Sequence, residues 1–249
     1  MVRSMSEAKV RLYVDQPLGP GQPVSLNADQ AHYLFSVMRL GPGAAVLLFN
    51  GQAGEWRATV ETAGKRAGSL RCAAQTAPQV MPPDLWLLFA PIKKARTDFI
   101  VEKAVELGAA RIVPVLTEFT NAERVRVDRL QAHAVEAAEQ SGGTFVPEVA
   151  EPVKLARLLQ DWPEGRRLIF CDEGLHDRPV GFGDLAATDA PGPWAILIGP
   201  EGGFSAAERA RLHALPFARP VGLGPRILRA DTAAVAAITL WQAHLGDWR

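Results

Sequence analysis

Cysteine is nearly missing from this chain: Cys72 and Cys171 are the only two in 249 residues. They form no close pair, and no Cys/His cluster has zinc spacing. A disulfide framework and a metal site are therefore not expected, and a reduced cytoplasmic setting is the simplest reading. Long apolar runs are lacking too. No stretch free of Asp, Glu, Lys and Arg exceeds 15 residues, too short to span a bilayer. Met1 to Val10 is charged rather than apolar, unlike a signal peptide. Neither sign of charge dominates, because 27 basic residues face 27 acidic ones. Any surface for a nucleic acid must then be local. The dinucleotide fingerprint and the P-loop motif are both missing, which makes NAD and ATP poor fits.

What is present divides in two. Residues 1–74 carry short strand signals around turn residues, at Arg11–Val14, Ala45–Phe49, Glu55–Val60 and Ser69–Ala73. One helix, Asp29 to Leu40, interrupts them, with Ala31, Leu34, Phe35 and Met38 on one face. This pattern suggests a small barrel. Residues 75–83 hold Pro78, Pro82 and Pro83 and read as a linker. From residue 84 to 249 the rhythm changes. Apolar runs at Leu85–Phe89, Ile112–Leu116, Leu168–Phe170 and Trp194–Ile198 read as buried strands. Helices are expected at Thr97–Leu107, Asp128–Gln140, Ser205–Leu212 and Asp231–Leu245. Strands alternating with helices imply a parallel α/β sheet.

Two glycine-bearing loops stand out, Ile198-Gly199-Pro200-Glu201-Gly202-Gly203-Phe204-Ser205 and Gly222-Leu223-Gly224-Pro225-Arg226-Ile227-Leu228-Arg229-Ala230-Asp231-Thr232-Ala233. Each ends at a helix start, with Ser205 and Glu208 forming a capping box and Asp231 expected as an N-cap. In open α/β sheets, ligands bind beyond the carboxyl ends of the strands. A phosphate cradle presents amides and positive charge, so the carboxylate of Glu201 argues against a pyrophosphate. A ligand of positive or mixed charge fits better, and S-adenosylmethionine, with its sulfonium, is one. As bland alternatives, the first loop is a tight turn and Arg229 a solvated ion-pair partner of Asp231. Local basic charge is offered by Lys93, Lys94 and Arg96 at a strand's carboxyl end, and by Arg39, Arg57, Lys65 and Arg66 in the first part of the chain.

Together, Gly199 to Ser205 and Leu223 to Ala233 resemble the RsmE family, bacterial 16S ribosomal RNA uridine-N3 methyltransferases of the SPOUT superfamily. His32 to Leu40, Glu102 to Gly108 and Glu136 to Gly142 extend the resemblance over nearly the whole chain. It implies an N-terminal PUA-like β-barrel followed by an α/β domain closed by a C-terminal deep trefoil knot, working as a homodimer. It implies S-adenosylmethionine as cofactor, held at Gly199, Gly202, Leu223, Gly224, Ile227, Leu228 and Thr232. The partner it implies is 16S ribosomal RNA or the assembled small subunit, and the local basic charge makes Arg39, Lys93, Lys94 and Arg96 the expected RNA contacts. Arg229 is the expected stabiliser of a uridinate anion. Glu201 is either a general base or a holder of the cofactor's positive groups. The chain departs from the family at Asp231, where Glu is usual, and at Gly143, where an arginine is usual. Other readings are a SPOUT enzyme acting on another ribosomal or transfer RNA nucleotide, a non-catalytic RNA-binding protein, and a nucleotide-dependent oxidoreductase.

Overall fold

The computed structural model describes residues 8, 10–121, 124–175, 181–188 and 192–248. Most of the segment read as lacking a signal peptide, residues 1–7 and 9, lies outside them. The chain forms two compact units, the first from residues 1–81 and 138–145 and the second from residues 82–137 and 146–249.

In the first unit β1 (Arg11–Tyr13), β2 (Pro23–Leu26), β3 (Ala45–Phe49), β4 (Glu55–Ala63) and β5 (Gly68–Ala77) form one sheet in the order β1-β3-β4-β5-β2. β5 outruns the expected strand, so the first three residues read as linker, 75–77, belong to it. β4 alternates buried and partly exposed residues from Glu55 to Val60, the signature of a sheet covered on one face. Val24, Leu34, Val46, Leu48, Ala58 and Leu70 are fully sequestered in its core. The helix expected at Asp29–Leu40 is mixed. α1 (Ala28–Ala31) starts from a capping box between Asn27 and Gln30, and the chain then widens into a π-turn over His32–Val37. Arg39 ends it in the left-handed region at φ 55°, a place usually held by glycine. Arg11 binds the far end of the helix that closes at Ser141. Its guanidinium donates to the carbonyls of Ala138 and Glu139 at 2.7 and 2.9 Å and to Gly143 at 2.8 Å. A cation at carbonyls left open by a helix C-terminus is favourable.

The second unit holds β6 (Leu85–Phe89), α2 (Lys94–Glu106), β7 (Arg111–Leu116), α3 (Val127–Ser141), β8 (Glu148–Val149), β9 (Val153–Lys154), α4 (Leu155–Gln160), β10 (Arg167–Cys171), α5 (Phe182–Thr188), β11 (Trp194–Ile198), α6 (Ala206–Ala214), β12 (Ala218–Val221) and α7 (Ala230–His244). The last turn of α3, from Ala138, belongs to the first unit. The strands are all parallel, in the order β12-β10-β11-β6-β7-β8, with β9 beside the end of β7. β11 is buried along its whole length, as its apolar run requires of a central parallel strand. Arg166 clamps the amino edge of the sheet. It makes a two-pronged pair with Asp84 at 2.8 and 2.9 Å, donates to the carbonyl of Trp194 at 2.8 Å, and stacks on the Trp86 ring. Gln242, fully buried, ties α7 to the end of α2 by donating to the Leu107 carbonyl at 2.7 Å.

Candidate functional site

The carboxyl ends of β10, β11 and β12 surround a cavity of about 460 Å³, inside the range of small-molecule sites. Three loops build it, because three neighbouring parallel strands end at the same edge of the sheet. The loop after β11 brings Gly199 to Gly203, the loop after β12 brings Leu223 to Arg229, and the loop after β10 brings Asp172 and Glu173. Ile198, Val221, Leu228 and Ala233 supply an apolar floor.

The loops pass close at two points, one where a positive φ favours glycine and one where backbone stands in the way of a side chain. Gly203 lies at φ +70°, and a Cβ there would fall 2.0 Å from Oε1 of Glu173. A Cβ on Gly222 would fall 2.5 Å from the Leu175 carbonyl oxygen. Gly203 itself lines the cavity, so its main chain rather than a side chain stands at the wall. The first loop is then locked to α6. Ser205 accepts from the Glu208 amide and Glu208 returns the bond, the expected capping box.

Charge in the cavity comes from separate elements. Glu201 accepts from Arg96 of α2 at 3.4 Å, and Arg96 Nε lies 3.8 Å from Asp231. Arg229 and Arg226 are exposed at the rim. Asp172 has no exposed side-chain surface and accepts from Arg209 at 2.9 Å, His213 at 2.8 Å and the Gly174 amide at 2.9 Å. Burial alone would raise its pKa, but the hydrogen bonds from Arg209, His213 and Gly174 outweigh it and hold the carboxyl below its ordinary value. Burial pushes the Cys171 thiol, in the same wall, up to about 12. It stays protonated and inert.

Residues 80–242 match the family described as RNA methyltransferase domain, and residues 26–71 match the RNA methyltransferase PUA domain. The first match covers more than half of the chain. Ribosomal RNA small subunit methyltransferase E of Synechocystis sp. is 33% identical over 89% of this chain and 73% of its own. That of Mycobacterium bovis is 30% identical over 94% of both. The chain belongs to the ribosomal RNA small subunit methyltransferase E family. The crystal structure of the Neisseria gonorrhoeae member, bound to S-adenosyl methionine, matches it with a TM-score of 0.86 at 29% identity, over 96% of this chain and 99% of that one.

Within this family frame, Glu201, Gly199, Gly202, Leu223, Gly224, Ile227, Leu228 and Arg229 all line the one cavity. Thr232 does not; it is exposed in the first turn of α7. Asp231 is not the N-cap. Arg229 holds that position without a side-chain bond, and Asp231 sits in the first turn, accepting from the Thr232 amide at 2.9 Å. Its charge still faces the helix dipole. Nor does Arg229 pair with Asp231; Arg96 does. Arg96, expected among the RNA contacts, is thereby drawn to Glu201 in the loop after β11 and to Asp231 in the first turn of α7. Lys93 and Lys94 line a second cavity at the end of β6. Arg39 lies in the first unit. Asp172, Glu173, Arg209 and His213 escaped sequence reasoning. Asp172 follows an apolar run at a strand's carboxyl end, which is the signal that marks its position.

Proposed function

We infer that this chain is an S-adenosylmethionine-dependent methyltransferase of 16S ribosomal RNA, and we propose that it methylates N3 of a uridine. The observation that carries this is the convergence of the Glu201 and Arg229 loops on one apolar-floored cavity at the carboxyl edge of a parallel sheet. The residues present fit the cofactor. Ile198, Val221, Leu228 and Ala233 suit an adenine, the glycine-lined main chain offers amides, and Glu201 offers a negative charge to a sulfonium or an ammonium. When bound, S-adenosylmethionine supplies an activated methyl group.

Uracil N3 holds a proton and is a weak nucleophile until that proton leaves. The anion then spreads onto the ring oxygens, so a fixed positive group beside them lowers the barrier. Arg229 is proposed for this role, because a guanidinium is always charged and matches planar oxygens. Glu201 has two roles open to it, accepting the proton or holding the cofactor's cationic groups. Gly199, Gly202, Leu223, Gly224, Ile227 and Leu228 are the proposed cofactor contacts, with Thr232 acting only through the helix start.

The finer architecture belongs to the same proposal. Residues 1–74 would form a PUA-like barrel that grips RNA, with Arg39 among its contacts. Residues 84–249 would form the SPOUT domain, its C-terminal segment threaded as a deep trefoil knot, in a homodimer working in the cytoplasm. The left-handed backbone of Arg39 costs about 1–2 kcal/mol relative to a relaxed arginine, and such strain is tolerated most often where a residue has a task. The deciding experiment is mass spectrometry of small-subunit ribosomal RNA from a deletion strain. Loss of one 3-methyluridine is expected, and an unchanged 3-methyluridine content would refute the assignment.

A further inference from the structure

Next to the cofactor cavity along the same sheet edge is a second one, of about 550 Å³, formed after β6 and β7. Among the described residues its walls hold Lys93, Lys94, Arg124, Arg126, Arg129 and one carboxylate, Asp98. Two of the five cations are already answered. Arg126 makes a two-pronged pair with Asp128 at 2.6 and 3.0 Å, and Arg129 pairs with Asp98. Asp98 is 8% exposed, so its charge is spent inside the wall and does not oppose an anion. Lys93, Lys94 and Arg124 are left, and among the described residues no acidic side chain pairs with them. α2 adds to their field. It is 13 residues long, starts at Lys94 on the cavity wall, and has no side-chain cap at its N-terminus, so its positive end lies at this cavity.

The charge left over fits an anion with little bulk. The sheet order shows which anion it can be. β6 neighbours β11, and β7 neighbours β6, so the second cavity is one to two strand positions from the cofactor loop after β11. At about 4.8 Å per strand this is about 5–10 Å, the scale of one step between phosphates along an extended single strand. Resting on the RNA-substrate reading above, we propose that Lys93, Lys94 and Arg124 bind a backbone phosphate of the RNA strand adjacent to the nucleotide being methylated. The three cations fix the register of the strand, while the neighbouring cavity receives the reacting base. Phosphate contacts of this kind position a nucleic acid without reading its sequence.

The test is the affinity of a labelled short single-stranded RNA for the full chain, measured by fluorescence anisotropy across a salt series with S-adenosylmethionine saturating. Lys94→Ala and Arg124→Ala are each expected to weaken binding several-fold and to flatten the plot of log affinity against log salt by about 0.7. Arg124→Lys should restore both. Arg157→Ala, on the exposed face of α4, should change neither. Calorimetry with S-adenosylmethionine, expected at wild-type affinity throughout, shows that the variants are folded. A Lys94→Ala/Arg124→Ala double variant with wild-type RNA affinity and salt slope would overturn the phosphate site. Equal losses in Arg157→Ala would overturn it too, since the effect would then be one of total charge. Neither result touches the methyltransferase reading, which fails separately if the wild-type protein transfers no methyl group to ribosomal RNA.

Discussion

Arg96 Nη1 lies 3.4 Å from Oε1 of Glu201. The same guanidinium reaches Asp231 through Nε at 3.8 Å, so one side chain of α2 ties the loop after β11 to the first turn of α7. Arg96 is 30% and Glu201 50% exposed in their side chains, which keeps the tie weak. Such pairs contribute about 0.2–1 kcal/mol. Arg96→Ala should therefore lower cofactor affinity by no more than about fivefold in calorimetry at low salt, and the difference should shrink as salt rises. An unaltered affinity at low salt would show that Arg96 does not order the loops.

Glu201→Gln separates the two roles open to that residue. Gln keeps the shape and removes the charge. If Glu201 holds the cofactor, affinity for S-adenosylmethionine falls while turnover at saturation persists. If it takes the N3 proton, turnover falls with affinity intact, and raising the pH recovers part of it.

Arg229→Ala should reduce turnover by about 10²–10³-fold, the usual cost of deleting one preorganised charge-stabilising group. Arg229 is exposed and makes no capping bond to α7, so circular dichroism and melting temperature should stay close to wild type. Near-normal turnover in a folded variant would remove Arg229 from the reaction.

Gly222→Ala tests whether the loops need their close approach. The added methyl would sit 2.5 Å from the Leu175 carbonyl oxygen, a main-chain atom that cannot swing aside. Overpacking of this kind costs about 1–3 kcal/mol, with about 2–4 °C of melting temperature lost per kcal/mol in a chain of this size. Cofactor affinity should fall with it. An unchanged melting curve would mean that the loop after β10 yields freely.

Acid should loosen the cavity wall through Asp172. Its folded-state pKa lies below the ordinary carboxyl value. The ionised group therefore contributes stability that is complete above the unfolded-state pKa of about 3.9. That contribution is lost as pH falls through the lower folded value. Urea titrations at successive pH values below about 4 should show this decline, and Asp172→Asn should be less stable at neutral pH and flatter in acid. Arg209 and His213 reach solvent, so the loss at neutral pH should stay nearer 1 than 3 kcal/mol. An equally steep acid limb in Asp172→Asn would assign the effect to other carboxyls.

Much of this was legible along the chain. The apolar runs at Leu85, Leu168 and Trp194 foretold the central strands, since a strand covered on both faces has no polar side to betray it. Ser205 and Glu208 announced the start of α6 because a capping box is made within four residues. β12 escaped notice, because it is short, carries Arg219 and Pro220, and forms the edge of the sheet. β8 and β9, of two residues each, have no period to detect. The π-turn at His32–Val37 was read as ordinary helix because one added residue per turn barely disturbs the apolar spacing.

Residues 199–205 and 222–233 by themselves determined that glycine-bearing loops end at helix starts and that carboxylates and arginines stand in them. These properties depend on backbone freedom, local hydrogen bonds and formal charge, all of which act over a few residues. Only the tertiary structure decided that Arg96 belongs to Glu201 and Asp231, more than a hundred residues away. It also decided that Asp172 belongs to His213, 41 positions on, and that Arg229, not Asp231, occupies the start of α7. Parallel strands return to the same edge only after a crossover. The partners at that edge are therefore set by strand order, which no local pattern of side chains encodes.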